Sequence, residues 1–206
     1  MIDNLSKKLT DRLLKKGVIN DEEQELYIYA LFILISSLMY LVLVGILGLI
    51  LNCFFESIIF FIAFQFIRKY AGGYHASTET RCEIMSTFSM ISSVVIIKLA
   101  KTYDFKTILL CLTITAALLI TVFCPLDTPE KPLSKKEFRY FRKISWIILA
   151  IIFSAVVVSY YFSVKILFAP CCVSLILESI LITAGKIKQK FSFEKLNWWK
   201  KRKSDK

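Results

Sequence analysis

Apolar residues in this chain come in long blocks separated by short interruptions that are mostly basic. The first block, residues 27–67, runs for 41 positions with Glu56 as its single formal charge. A straight helix of that length would measure roughly 60 Å, about twice the hydrocarbon thickness, so the block is predicted to fold into two passes. Gly45, Gly48 and Asn52 mark the expected bend. Further blocks at 84–97, 107–124, 144–162 and 164–184 bring the expected count to six. The predicted fold class is therefore all-α: a polytopic membrane protein of about six transmembrane helices, preceded by an amphipathic interfacial helix.

The block at 84–97 is the most polar. Ser86, Thr87, Ser89, Ser92 and Ser93 interrupt it and Lys98 closes it early. Such a density of small hydroxyl residues suits a helix packed among other helices, with a re-entrant segment as the alternative. Before the first block, Ile2, Leu5, Leu9 and Leu13 fall on one narrow helical face, with Lys7, Lys8 and Lys15 well away from it. That is the pattern of a helix lying in the membrane interface. It has neither the apolar core nor the small-residue cleavage site of a secretory signal. The expected organisation is one membrane domain over 1–206: an amphipathic segment at 1–26, a six-helix region at 27–184 and a basic tail at 185–206. Trp198 and Trp199, set among lysines, suit a tail resting on the same membrane face.

Composition agrees with this reading, since 56% apolar residues exceeds the norm of soluble domains. With six passes, 23 of the 27 lysines and arginines fall on one side. Only Lys98, Lys101, Lys106 and Lys165 fall on the other. This asymmetry predicts that both termini and the 68–81 loop face the cytoplasm. The net charge of +11 raises nucleic acid as a partner, but the basic residues are juxtamembrane and no nucleic-acid motif accompanies them. The lipid bilayer is the expected partner.

The candidate chemistry sits in one loop. His75 is the sole histidine of the chain and stands seven positions before Cys82. A thiol needs a base to become a good nucleophile near neutral pH, and histidine is the usual one. Thr80 to Glu83 fits a capping box, with Thr80 as N-cap, which would place Cys82 in the first turn of a helix where the dipole favours a thiolate. In one continuous helix, positions 75 and 82 would stand about 10 Å apart, so the chain must turn, and Gly72 and Gly73 permit a turn. The bland alternative for His75 is an ordinary interfacial loop residue. Cys53, Cys111, Cys124, Cys171 and Cys172 lie in or beside apolar blocks, where a thiol packs as a small hydrophobe. No disulfide framework, metal site or cofactor is expected. Glu56 and Glu178 lie at membrane depth, where a helix–helix hydrogen bond through a protonated carboxyl is the structural reading.

The spacing Arg-x3-Gly-Gly-x-His-x6-Cys, here Arg68, Gly72, Gly73, His75 and Cys82, resembles the accessory gene regulator B (AgrB) family of Gram-positive quorum-sensing systems. A second stretch, with Pro125, Asp127, Thr128, Pro129, Lys131 and Pro132, resembles it too, as do length and pass number. The resemblance implies a cysteine endopeptidase in the bacterial cell membrane. Its substrate would be an AgrD-type propeptide with an amphipathic leader, a pheromone core and an acidic tail. Cys82 would be nucleophile and His75 general base, releasing the tail and leaving a thioester that an internal nucleophile of the peptide closes into a thiolactone or lactone. The resemblance further implies that Arg68 steadies the loop or binds substrate, that Gly72 and Gly73 shape it, and that the protein is a homodimer. It also suggests that Lys131, Lys135, Lys136, Arg139, Arg142 and Lys143 grip the acidic tail, with a role in topology as the alternative. A competing reading is a small transporter or channel that uses Glu56 and Glu178.

Overall fold

A long apolar run in lipid can satisfy its backbone only by closing hydrogen bonds within itself or in a closed barrel. This chain uses helices. The computed structural model describes residues 2–73, 79–103, 105–126 and 134–204, and of 79, 80 and 191–204 the backbone alone. Its helices are α1 (Ile2–Lys15), α2 (Gln24–Ile50), α3 (Phe54–Ala71), α4 (Glu79–Thr102), α5 (Lys106–Phe123), α6 (Lys135–Tyr161) and α7 (Lys165–Ser204), with no strand among the described residues. Five segments are long and apolar enough to cross a membrane: Asp21–Ile50, Arg81–Thr102, Lys106–Phe123, Lys135–Tyr161 and Lys165–Lys190. The sixth helix of the bundle, α3, is 18 residues long and carries charge at both ends, Glu56 in its first turn and Arg68 and Lys69 in its last.

Helix ends follow local chemistry. After α2, Asn52 adopts a left-handed φ of 54°. The Asn52 amide donates to the Leu49 carbonyl, and the Cys53 amide donates to the Gly48 carbonyl at 2.8 Å. This is the Schellman pattern, which satisfies carbonyls that the helix leaves open. Gly17 after α1 and Ser163 after α6 take the same left-handed conformation. The expected bend is thus at Asn52 alone. Gly45 and Gly48 lie inside α2, where Gly48 serves close packing: a Cβ there would meet Ser57 Oγ at 2.9 Å and the Phe54 Cα at 3.0 Å.

α3 and α7 form the centre. On one side α3 and α7 pack with α5 and α6 through Ile67, Ile120, Val156, Cys172 and Leu175. On the other they pack with α2 and α4 through Val44, Phe60, Phe64, Val94 and Val173. Small side chains at Ala169, Cys171, Cys172, Ser174 and Ser179 of α7 are all buried, letting its neighbours approach closely. α1 lies against α2 and buries Ile2, Ser6 and Thr10, while Leu5 stays half exposed.

α4 departs from the sequence reading. It runs the full membrane length, so it is no half-span, yet it lies at the edge of the bundle. Ile84, Met85, Phe88, Ile91 and Val95 point outward. Of its hydroxyls Ser93 is buried, while Ser89 Oγ bonds its own backbone at the Met85 carbonyl, 2.7 Å away. The two acidic residues depart as well. Glu56 Oε1 lies 2.5 Å from Lys101 Nζ of α4, and Glu178 Oε2 lies 3.9 Å from Arg68 Nη1 of α3. Each meets a cation rather than a neutral helix–helix hydrogen bond, because a lysine or arginine at a helix end reaches back along the neighbouring helix.

Candidate active site

Arg68 occupies the last turn of α3, where a cation complements the partial negative charge of the helix end. The chain then stops being helical at Gly72, whose φ of 77° is one that an L side chain rarely adopts and glycine adopts freely. Its amide still donates to the Arg68 carbonyl at 3.2 Å. Gly73, also at positive φ, has a further reason to lack a side chain. A Cβ there would stand 1.8 Å from Arg68 Nη1 and 2.7 Å from Cζ, so the guanidinium lies directly on the Gly73 backbone. The paired glycines therefore do two jobs: Gly72 makes the turn and Gly73 makes room.

The same corner holds the second stretch singled out above. The Leu126 amide donates to the Ala71 carbonyl at 2.9 Å, and a Cβ on Gly72 would touch the Leu126 carbonyl oxygen at 3.0 Å. The chain after α5 is thereby bound to the end of α3. Tyr70 of α3 and Phe141 of α6 bring their rings within 6.1 Å of one another. Cys124, beside this corner, is buried in apolar surroundings, and burial pushes its thiol up to about 11. It is a packing residue, as the sequence suggests.

Cys82 and Arg68 line one cleft. It has a volume of about 110 Å³, lies between α2, α3, α4 and α7, and is lined also by Tyr40, Gln65, Ser86 and Met90 among others. Cys82 is partly exposed there, while Cys53, Cys124, Cys171 and Cys172 are buried and Cys111 is exposed on α5. Tyr40 Oη donates to the Glu83 carbonyl at 3.4 Å, and Gln65 Nε2 donates to Ser37 Oγ, tying α2 to both walls of the cleft. The capping box read from sequence is not formed: α4 is already helical at Glu79, so Thr80 is inside the helix rather than at its cap. The box does form at α6, where Ser134 Oγ accepts from the Glu137 amide and Glu137 Oε2 accepts from the Ser134 amide.

His75 lies outside the described residues, as do Asp127, Thr128, Pro129, Lys131 and Pro132. Of the other basic candidates, Lys135, Lys136, Arg139 and Lys143 are exposed at the start of α6, with Lys135, Arg139 and Lys143 on one stripe of the helix. Arg142 is half-buried, its guanidinium 4.9 Å from the Trp146 ring centre. At the other end of the bundle a larger cavity, about 230 Å³, is lined by residues that include Lys101, Lys106, Lys165 and Tyr160. Neither Glu56 nor Glu178 is among the residues lining that cavity or the Cys82 cleft. Sequence reasoning missed the pairing of Glu178 with Arg68. The available signal was that a carboxylate at membrane depth requires a cation.

Residues 6–182 match the family model described as Accessory gene regulator B. The chain belongs to the AgrB family, whose members take part in accessory gene regulator quorum sensing. It is 30% identical to AgrB-like protein 2 of Clostridium perfringens strain 13 over 85% of this chain and 86% of that one. An AgrB-like protein of strain SM101 of the same species is 29% identical over 73% of each chain. The Accessory gene regulator protein B of Staphylococcus intermedius is 29% identical over 45% of this chain and 48% of that one. No solved structure matches.

Proposed function

We propose that this AgrB-family protein is a membrane-embedded cysteine endopeptidase. It removes the acidic tail of an AgrD-type propeptide and promotes ring closure of the remainder to a thiolactone or lactone. The observation that carries the reading is the position of Cys82: the one cysteine in a cleft shared with Arg68, at the end of the bundle where the basic segments gather. His75 stands two positions after Gly73 in the sequence, and Gly73 lies against Arg68. That supports His75 as the base.

In this mechanism His75 takes the Cys82 proton and the thiolate attacks the carbonyl joining pheromone to tail. The carbonyl electrons move to oxygen, then return to expel the tail amine, which receives the proton from His75. The peptide stays on Cys82 as a thioester until its own thiol or hydroxyl attacks the same carbonyl and Cys82 leaves. A cleft walled by Phe64, Met85, Met90 and Leu181 limits water during that interval. The end of α4 that carries Cys82 then faces the cytoplasm, with both termini, as the basic residues direct.

The test uses purified protein in liposomes with its cognate propeptide. Cys82→Ala and His75→Ala should lose cleavage, and Cys111→Ala should keep it. Cleavage by Cys82→Ala at the parent rate would end the reading.

A further inference from the structure

We infer that the cavity at the far end of the bundle from Cys82 is a binding site for the phosphate headgroup of an anionic phospholipid, with Lys106 and Lys165 as its cationic partners. The cavity, about 230 Å³, lies among the end of α4, the start of α5, the end of α6 and the start of α7. With six passes the sequence leaves only four basic residues on this side, and three of them, Lys101, Lys106 and Lys165, line this one cavity from three different helices. The rule that keeps basic residues off this side gives no reason for them to converge. Like charges so gathered repel, and low-dielectric walls focus their field. An anion in the cavity relieves that repulsion.

Part of the charge is answered from within. Lys101 Nζ lies 2.5 Å from Glu56 Oε1 and donates to the Asn52 carbonyl at 3.1 Å. Lys106 and Lys165 have no acidic partner among the described residues, and none of the residues lining the cavity is acidic; Asp104 lies outside the described residues. Two lysines are therefore left for a ligand. Their surroundings are those of the headgroup level. Tyr103, Phe105, Tyr160, Tyr161 and Phe162 gather at this end and are exposed, as in the aromatic belt of a membrane protein. Ile108 and Ile166, close after the two lysines on α5 and α7, are exposed as well. A lipid whose phosphate meets the lysines finds apolar surface there for its acyl chains. Free phosphate would use the lysines and leave that surface bare, so the lipid is the better match.

The experiment uses the full chain, purified in a neutral detergent, stripped of lipid, and titrated with phosphatidylglycerol, phosphatidylcholine or inorganic phosphate. Bound lipid is read by native mass spectrometry and stability by the thermal midpoint. The parent should bind phosphatidylglycerol about tenfold or more tightly than phosphatidylcholine, and excess inorganic phosphate should not displace it. A lysine near headgroups contributes about fivefold, so Lys106→Gln and Lys165→Gln should each weaken phosphatidylglycerol by about that factor, and together by about 25-fold. Lys98→Gln, on the same side but outside the cavity lining, should stay within about twofold of the parent. Lys165→Arg should keep most of the binding, because the charge is kept. Equal binding of the two lipids, or Lys98→Gln as weak as Lys106→Gln, overturns the inference. Inorganic phosphate that displaces the lipid, and raises the midpoint of the parent but not of the double variant, makes this a site for a free anion and overturns the lipid as occupant. If the double variant does not fold, salt decides on the parent: binding should weaken from about 0.1 M to 1 M salt, and binding indifferent to salt overturns the inference. None of these outcomes bears on cleavage at Cys82, which its own variants test.

Discussion

At the scale of single residues, the site depends as much on what is absent as on what is present. Gly73 leaves a gap that the Arg68 guanidinium fills, with Nη1 1.8 Å from where a Cβ would be. A Gly73→Ala substitution must therefore displace the arginine, and it does so at a φ of 158° that an L side chain rarely adopts. The expected result is a fall in propeptide cleavage of about 10²-fold, comparable to other small misplacements of a reacting geometry, with helical content by circular dichroism unchanged. An alanine variant that cleaves normally would show that Arg68 need not occupy this gap. The glycine pair was readable in the sequence as a turn, and Gly72 with its φ of 77° is one. The purpose of Gly73 was not readable, because it depends on a side chain folding back onto it. Glu178 was visible as an anomaly in an apolar run, but its partner lies 110 positions earlier on another helix, and nothing local names it.

At the scale of helices, close approach decides which glycines matter. Gly48 of α2 faces Ser57 and Phe54 of α3 at contact distance, whereas a Cβ on Gly45 would meet the Phe54 ring at an ordinary 3.5 Å. Gly48→Leu should thus force α2 and α3 apart and cost about 1–3 kcal/mol, the usual range for overpacking. Gly45→Ala should be near neutral or stabilising, since alanine is the better helix former. Thermal unfolding in detergent separates the two: a Gly48→Leu midpoint equal to the parent would contradict the packing. Helix existence and type followed from apolar length alone. The start of α4 did not, because the pattern Ser/Thr-x-x-Glu occurs at both Thr80 and Ser134 and forms a cap only where the helix begins. At Ser134 the chain enters α6 in extended conformation, with ψ of 158°, and the side chain can reach the Glu137 amide. At Thr80 the helix is already under way.

At the scale of the whole molecule, the basic residues at one end of the bundle carry two candidate roles that a measurement can separate. Lys135, Arg139 and Lys143 form an exposed stripe on the first turns of α6, with Lys136 beside it. Replacing all four by glutamine should raise KM for an acidic-tailed propeptide several-fold in low salt and much less in 1 M salt, where the Debye length falls to about 3 Å. If the stripe serves orientation only, the correctly inserted fraction changes and the KM of that fraction does not. The two ion pairs lie near opposite ends of the bundle, Glu56 with Lys101 at one and Glu178 with Arg68 at the other. That separation argues against a shared conduction path and assigns each carboxylate to its own end.

The amino-acid sequence by itself determined the all-helical membrane fold and singled out one short segment, from Arg68 to Cys82, for the proposed thiol chemistry. Apolar length, side-chain reactivity and residue spacing are local properties that need no coordinates. The tertiary structure decided which groups meet. It put α3 and α7 at the centre and α4 at the edge, joined the Gly72–Gly73 corner to Leu126, and paired Glu178 with Arg68 of the Cys82 cleft. The physical reason is that a buried charge and a close-packed glycine are satisfied by distant partners, and only packing of the whole bundle selects which partners those are.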